Sequence, residues 1–146
     1  MAEGNLTAGA DRGFKPGLNC AQSVLTAFSD DFDVEPAAAA RIAAGFGGGI
    51  GHLQKTCGAV TGAVMVLGLR CYDANDSSAS KTLTYDKVRE FISVFEKRYG
   101  TVSCSDLIGV DISTDAGLRE ARERNVFALK CAEYVRDACA ILESLL

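Results

Sequence analysis

The chain carries six cysteines and a single histidine, and three of the cysteines share one local setting. Cys20 follows Asn19, Cys57 follows Thr56 and Cys104 follows Ser103. Asn, Thr and Ser are favoured helix N-caps, because their side-chain oxygen accepts an otherwise unpaired backbone N–H. Gln22 and Asp106 stand three residues beyond Asn19 and Ser103, close to a capping-box pattern. The spacing therefore predicts that Cys20, Cys57 and Cys104 each open a helix. At that position the unpaired N–H groups and the positive end of the helix dipole favour an anion. A cysteine so placed can have its pKa lowered to roughly 3.5–7.5, and the thiolate is the form that attacks disulfides and binds metals. The competing reading is packing, since free cysteine is among the most buried residue types.

These residues need elements to position them, and apolar residues recur at helical spacing along nearly the whole chain. Cys20, Val24, Ala27 and Phe28 share one face of a first helix. Pro36 suits the first turn of a short helix, AAAARIAA, that ends near Gly45. A glycine loop, GFGGGIG, leads into CGAVTGAVMVLGL, which reads as a helix buried on most sides. CYDANDSSASKT is polar and turn-rich, so a connection is expected there. Val88, Phe91, Ile92, Phe95 and Tyr99 trace an amphipathic stripe that stops at Gly100, and the short piece SCSDLIG follows. One long helix is predicted from about Leu118 to the C-terminus, with Phe127, Cys131, Tyr134, Val135, Ala138, Leu142 and Leu145 on its buried side. Alternating β patterns, repeats and a second composition zone are lacking. The expected fold is all-α: a single helical domain over residues 1–146, an irregular bundle of about five helices, with residues 1–15 loosely ordered.

In an up-down bundle the first and third helices start at the same end, and the fourth finishes there. Cys20, Cys57 and Cys104 are then expected to converge at one pole. Cys131 faces inward, at a height that depends on where its long helix begins. Cys71 lies some 14 residues beyond Cys57, roughly 21 Å along a helix, and Cys139 is two turns past Cys131, so both are expected to be incidental. Gly58 and Gly62 share a helix face and are expected to let a neighbouring helix come close.

Composition narrows the function classes. A net charge of -4 argues against a nucleic-acid partner. The longest apolar run, Cys57 to Leu69, is too short to span a bilayer, and the N-terminus has no secretory pattern. A cytoplasmic location is expected, where cysteines serve redox chemistry, metal binding or packing rather than structural disulfides. No CxxC pair is present, which weakens zinc-ribbon and thioredoxin-like readings. GFGGGIG does not satisfy GxGxxG and has no preceding strand, so a dinucleotide site is not expected. A Cys-His protease would have to rest on His52, the lone histidine, which reads as exposed. Asp30, Asp31 and Asp33 read as a solvated helix end, and LREARERN as a solvated helix surface.

NCAQSVL, GFGGGIG running into TCGAVTGA, then SCSDLIG and KCAEYV resemble the C-GCAxxG-C-C family of redox-active proteins, single domains marked by four cysteines. The Cys-Gly-Ala-x-x-Gly motif is Cys57-Gly58-Ala59-Val60-Thr61-Gly62, and the matching single cysteines are Cys20, Cys104 and Cys131. The resemblance runs from Leu18 to about Val135. It implies the same four residues as the site, and no particular reaction.

Three functions compete on this reading. The first is thiol redox chemistry at Cys57, Cys20, Cys104 and Cys131, needing no cofactor, with an unknown redox partner or small-molecule substrate. Cys57 is the expected attacking thiol, with His52 and Lys55 as positive neighbours. The second is a metal site, Zn or an iron–sulfur cluster, held by Cys20, Cys57, Cys104 and Cys131. The third is a non-catalytic helical interaction module.

Overall fold

The computed structural model describes residues 12–146, and these are all-α. The expected looseness of residues 1–11 lies outside the described residues, whereas residues 12–15 are anchored. Arg12 is buried, and the Lys15 N–H donates to Ser23 Oγ at 3.1 Å.

In chain order the helices are α1 (Cys20–Ser29), α2 (Pro36–Ala43), α3 (Gly58–Cys71), α4 (Ser77–Tyr99), α5 (Cys104–Ile108), α6 (Asp115–Glu123) and α7 (Ala132–Leu145). Pro36 occupies the first turn of α2, where its missing N–H costs nothing. α3 is the central element, packed against α1, α4 and α7. None of its residues is fully open to solvent, as its nearly continuous apolar sequence predicts. Around it close Phe28 from α1, Phe91 and Phe95 from α4, and Val135 and Leu142 from α7, all fully buried.

The α1–α3 contact depends on the two motif glycines. A methyl group on Gly62 would stand 2.9 Å from both Ala21 O and Val24 Cβ, and one on Gly58 would stand 3.0 Å from Cys20 Cβ and Ala21 N. Both glycines face the start of α1, so the two helices begin at the same pole. Gly62→Ala is expected to destabilise the fold by about 1–3 kcal/mol through overpacking. Gly68→Ala, in the same helix but with open space around it, should be neutral or stabilise by roughly 0.5–1 kcal/mol. Urea denaturation of the two variants checks this, and equal midpoints would contradict the close approach.

Several expectations need correction. The polar stretch after Cys71 is a connection only as far as Asp76, because α4 begins at Ser77 and runs 23 residues. Asp73 makes the turn, its carboxylate accepting the Asn75 N–H at 2.9 Å. The long C-terminal helix is broken in two. Asn125 adopts φ 55, a left-handed conformation that Asn tolerates, and it ends the α6 segment. The chain then makes a π turn over Phe127–Cys131 before α7.

Asp31 is not solvated either. Its carboxylate meets the Arg12 guanidinium at 2.9 Å, with both side chains only 5% exposed. Arg12 also stacks over the Phe28 ring at 4.4 Å, donates to Ala27 O at 3.3 Å and reaches Glu143 at 3.2 Å. The guanidinium thus ties the N-terminal segment to both α1 and α7. Among the described residues no helix is long and apolar enough to cross a membrane.

Candidate functional site

Cys20, Cys57, Cys104 and Cys131 line one cavity of about 150 Å³ at the pole where α1 and α3 begin. Each reaches it by a different local device.

Cys20 is the first residue of α1, and the capping box predicted for it is formed. Asn19 Oδ1 accepts the Gln22 N–H and Gln22 Oε1 accepts the Asn19 N–H, both at 2.9 Å. The amide nitrogens of the same two residues donate to Ala44 O and Ala40 O, clamping α2 to this end of α1.

Cys57 differs from expectation: it is itself the N-cap of α3, and Thr56 is not. Its side chain makes no capping hydrogen bond, and the Val60 and Thr61 N–H groups donate to its carbonyl, each at 3.0 Å. Cys104 opens α5 after Ser103, yet the Ser103 side chain caps nothing. Thr101 Oγ1 accepts the Ser103 N–H instead and lies 3.3 Å from Asp106. What joins Cys57 and Cys104 is a two-residue antiparallel bridge between Thr56 and Ser103. The Cys57 N–H donates to Val102 O and the Cys104 N–H donates to Lys55 O, each at 2.7 Å.

The glycine loop closes over this bridge by winding left-handed. Gly48, Gly49, Ile50, Gly51 and His52 all have φ between 58° and 71°. Such a turn is costly for Ile50 and His52, and strain of this kind concentrates at functional sites. A methyl on Gly49 would sit 2.7 Å from Cys104 Cβ, so only glycine lets the loop rest on that cysteine. Gln54 braces the far side, donating to Val110 O at 2.6 Å and accepting the Ile112 N–H at 3.1 Å.

Cys131 is the last residue of the π turn. An insertion of this type shifts the helical register and is frequent at functional sites. One turn on, Tyr134 points to the same cavity and donates its hydroxyl to Leu107 O at 2.6 Å, linking α7 to α5. The Tyr134 ring packs edge-on against Tyr99 at 4.9 Å, and the Tyr99 hydroxyl donates to Asp137.

The electrostatics do not follow the helix-dipole expectation. Burial pushes the Cys57 thiol up to about 11, against the lowering influence of the nearby Ala59 and Val60 N–H groups. Burial, together with the nearby Cys57 and Cys131 sulfurs, pushes Cys104 up to about 12. Both thiols are less than 8% exposed, and removing a charge from water outweighs the first-turn dipole. Cys131 goes the other way. The neighbouring Cys20 thiol lowers its pKa, against the cost of burial and with help from Lys130. Cys20 is raised well above its ordinary value, first by Cys131 and then by burial. The two sulfurs therefore titrate as a unit, Cys131 shifted toward the thiolate and Cys20 toward the thiol.

The chain matches the family model described as "Putative redox-active protein (C_GCAxxG_C_C)" over residues 18–145. The chain belongs to this family. No curated protein matches it, and no solved structure matches it. In this member of the C_GCAxxG_C_C family the four signature cysteines share one cavity, and the two outside the signature do not. Cys71 lies at the far end of α3, near Lys87 and Arg70. Cys139 is buried beside Arg12 and Glu143.

Of the positive neighbours expected for Cys57, His52 stands exposed at the cavity mouth. Lys55 contributes its carbonyl to Cys104 rather than its ammonium to the cavity. Among the described residues no three Cys, His, Asp or Glu side chains are grouped so as to hold a metal ion. Sequence reasoning did not mark Tyr134, Phe14 or Ile112 as site residues. Tyr134 could have been found, since it stands three residues from Cys131 and so on the same helix face. Phe14 and Ile112 lie in irregular segments with no periodic signal.

Proposed function

We propose that this protein is a thiol redox protein whose working pair is Cys131 and Cys20, with Cys131 as the attacking thiolate. The observation that carries this reading is the placement of both sulfurs on the wall of one cavity, where the Cys20 thiol shifts Cys131 toward its thiolate. A thiolate is the nucleophile in disulfide exchange and in oxidation. The neighbouring thiol is then in place to form the second sulfur–sulfur bond. Oxidation of the pair removes two electrons and two protons and leaves a disulfide between α1 and the π turn. Cys57 and Cys104 start as protonated thiols, so the first attack falls to Cys131 rather than to Cys57. They become the second dithiol within reach once the first is oxidised. All six cysteines are free thiols in this structure, as in a reduced protein of a reducing compartment such as the cytoplasm.

Diamide oxidation of the reduced protein, followed by peptide mapping, tests the pairing. Two thiols are expected to disappear together, in a Cys20–Cys131 disulfide. Cys20→Ser and Cys131→Ser should each abolish that product, whereas Cys71→Ser and Cys139→Ser should leave it intact. A first disulfide that maps elsewhere, or no disulfide at all, overturns the assignment.

A further inference from the structure

The walls of the thiol cavity restrict what can reach the sulfurs. Its volume is about 150 Å³, and the side chains facing it besides the four cysteines include Phe14, Leu107, Ile108, Ile112 and Phe127. An apolar cavity of that order accepts a molecule about the size of benzene. Among the described residues no Lys, Arg, Asp or Glu lines it. The polar groups on its wall are mostly engaged. Tyr134 donates to Leu107 O, while Asn19 gives its oxygen to Gln22 N–H and its amide to Ala44 O. His52 stands only at the exposed mouth. Cys57, Cys104 and Cys131 are each less than 8% exposed.

A ligand for this space has an apolar body and one polar end, and the polar end must be the part that meets sulfur. Any other polar group would be buried without a partner. A disulfide carries its reacting bond in the middle, so it needs room on both sides, and a protein disulfide cannot enter at all. The two carboxylates on each half of glutathione disulfide would find no cation. Hydrogen peroxide fits but fills little of the cavity. We propose that the oxidant consumed here is a small uncharged organic hydroperoxide whose hydrocarbon end occupies the cavity and whose peroxide group faces the Cys131–Cys20 pair. This rests on the thiol redox reading above.

The chemistry balances. The Cys131 thiolate attacks the terminal oxygen of R–O–O–H, the O–O bond breaks, and Cys131 becomes a sulfenic acid. The departing alkoxide takes the proton of Cys20 and leaves as the alcohol. The Cys20 thiolate then attacks the sulfenic sulfur, forming the disulfide and expelling hydroxide, which solvent protonates to water. One hydroperoxide and two thiols give one alcohol, one water and one disulfide, a two-electron oxidation. A dithiol reductant restores the pair.

Single-turnover oxidation of the reduced protein by tert-butyl hydroperoxide, hydrogen peroxide and glutathione disulfide separates the possibilities, with diamide as a control. The disulfide is read by quenching and peptide mapping. Burial of the hydrocarbon end should make tert-butyl hydroperoxide react about 30-fold faster than hydrogen peroxide. It should exceed glutathione disulfide by about 100-fold or more, because the latter must bury unpaired charge. Ile108→Phe, which fills the cavity, should slow tert-butyl hydroperoxide about tenfold and leave hydrogen peroxide within about twofold. If that variant does not fold, added benzene should protect the wild-type pair against tert-butyl hydroperoxide and not against hydrogen peroxide. Glutathione disulfide reacting as fast as the hydroperoxide overturns the substrate class and leaves the thiol reading standing. So does formation of the disulfide by diamide but by neither peroxide. Failure of diamide as well overturns both.

Discussion

Between about pH 9 and pH 11 the folded state is expected to lose on the order of 4 kcal/mol of stability per pH unit, enough to unfold it. Three buried thiols with raised pKa values set this loss, and Cys20, raised as well, adds to it. Burial sets Cys57 at about 11, Cys104 at about 12 and Cys139 at about 12. In the unfolded chain each returns to the ordinary thiol value of about 8.5. As pH rises through that value the unfolded state releases its protons first, so equilibrium shifts toward it. The stability these thiols contribute is therefore fully present below about pH 8 and is lost on the alkaline side. Each thiol accounts for about 1.4 kcal/mol per pH unit within the window. Urea midpoints measured at about pH 7.5, 9.5 and 10.5 check the slope. Cys139→Ala, away from the cavity, should reduce it by about 1.4 kcal/mol per pH unit whatever its effect at neutral pH. Midpoints that do not move across this range would mean that these thiols are hydrated in solution.

Arg12→Ala is expected to cost about 3 kcal/mol, because it removes the guanidinium that meets the buried Asp31 carboxylate at 2.9 Å. The guanidinium also covers the Phe28 face at 4.4 Å and donates to the Ala27 carbonyl, so the substitution removes packing and a hydrogen bond together with the charge. Replacing both partners by apolar residues, as in Arg12→Met with Asp31→Leu, should recover most of the loss, since the desolvated charge then disappears. Urea unfolding of the single and double variants reads the difference directly. A single variant within about 1 kcal/mol of wild type would show that the pair behaves as a surface ion pair.

The two expectations draw on one physical fact, that this small helical protein places ionisable groups where water does not reach. In the Arg12–Asp31 pair each charge neutralises the other. In the cavity, Cys20, Cys57 and Cys104 are shifted toward the protonated form, whereas Cys131 is shifted toward its thiolate by Cys20. The same low polarity that keeps Cys57 and Cys104 quiet makes the cavity suitable for an apolar ligand. It also makes a thiolate there poorly solvated and hence a strong nucleophile.

Much of this was legible in the residues alone. The 3.6-residue recurrence of apolar side chains gave the all-α class and the buried faces of α1, α3, α4 and α7, because a helix stripe is a local property of sequence. The Asn19–Gln22 capping box was legible for the same reason, since both partners lie within one turn. Gly58 and Gly62 could be read as a close-approach face from their spacing. Rise along a helix set Cys71 and Cys139 apart from the other four, which the residues before them, an inward-facing stripe and the family resemblance had picked out. Features that depend on a distant partner could not be read. The Thr56–Ser103 bridge, which sets Cys57 beside Cys104, joins segments 47 positions apart. The left-handed winding at Gly48–His52 is held by contact with Cys104 and by the Gln54 clamp on Val110 and Ile112, and it overrides what Ile50 and His52 prefer. The break at Asn125 and the π turn at Phe127–Cys131 interrupt a stripe that reads as continuous.

Sequence by itself singled out four of the six sulfurs as candidates, through helical periodicity and the family motif, although the capping expected of Thr56 and Ser103 is not formed. Only the tertiary structure decided which way each thiol's pKa moves. That direction depends on water excluded by the whole packed core and on the meeting of Cys20 from α1 with Cys131 from the π turn, and no local pattern encodes either.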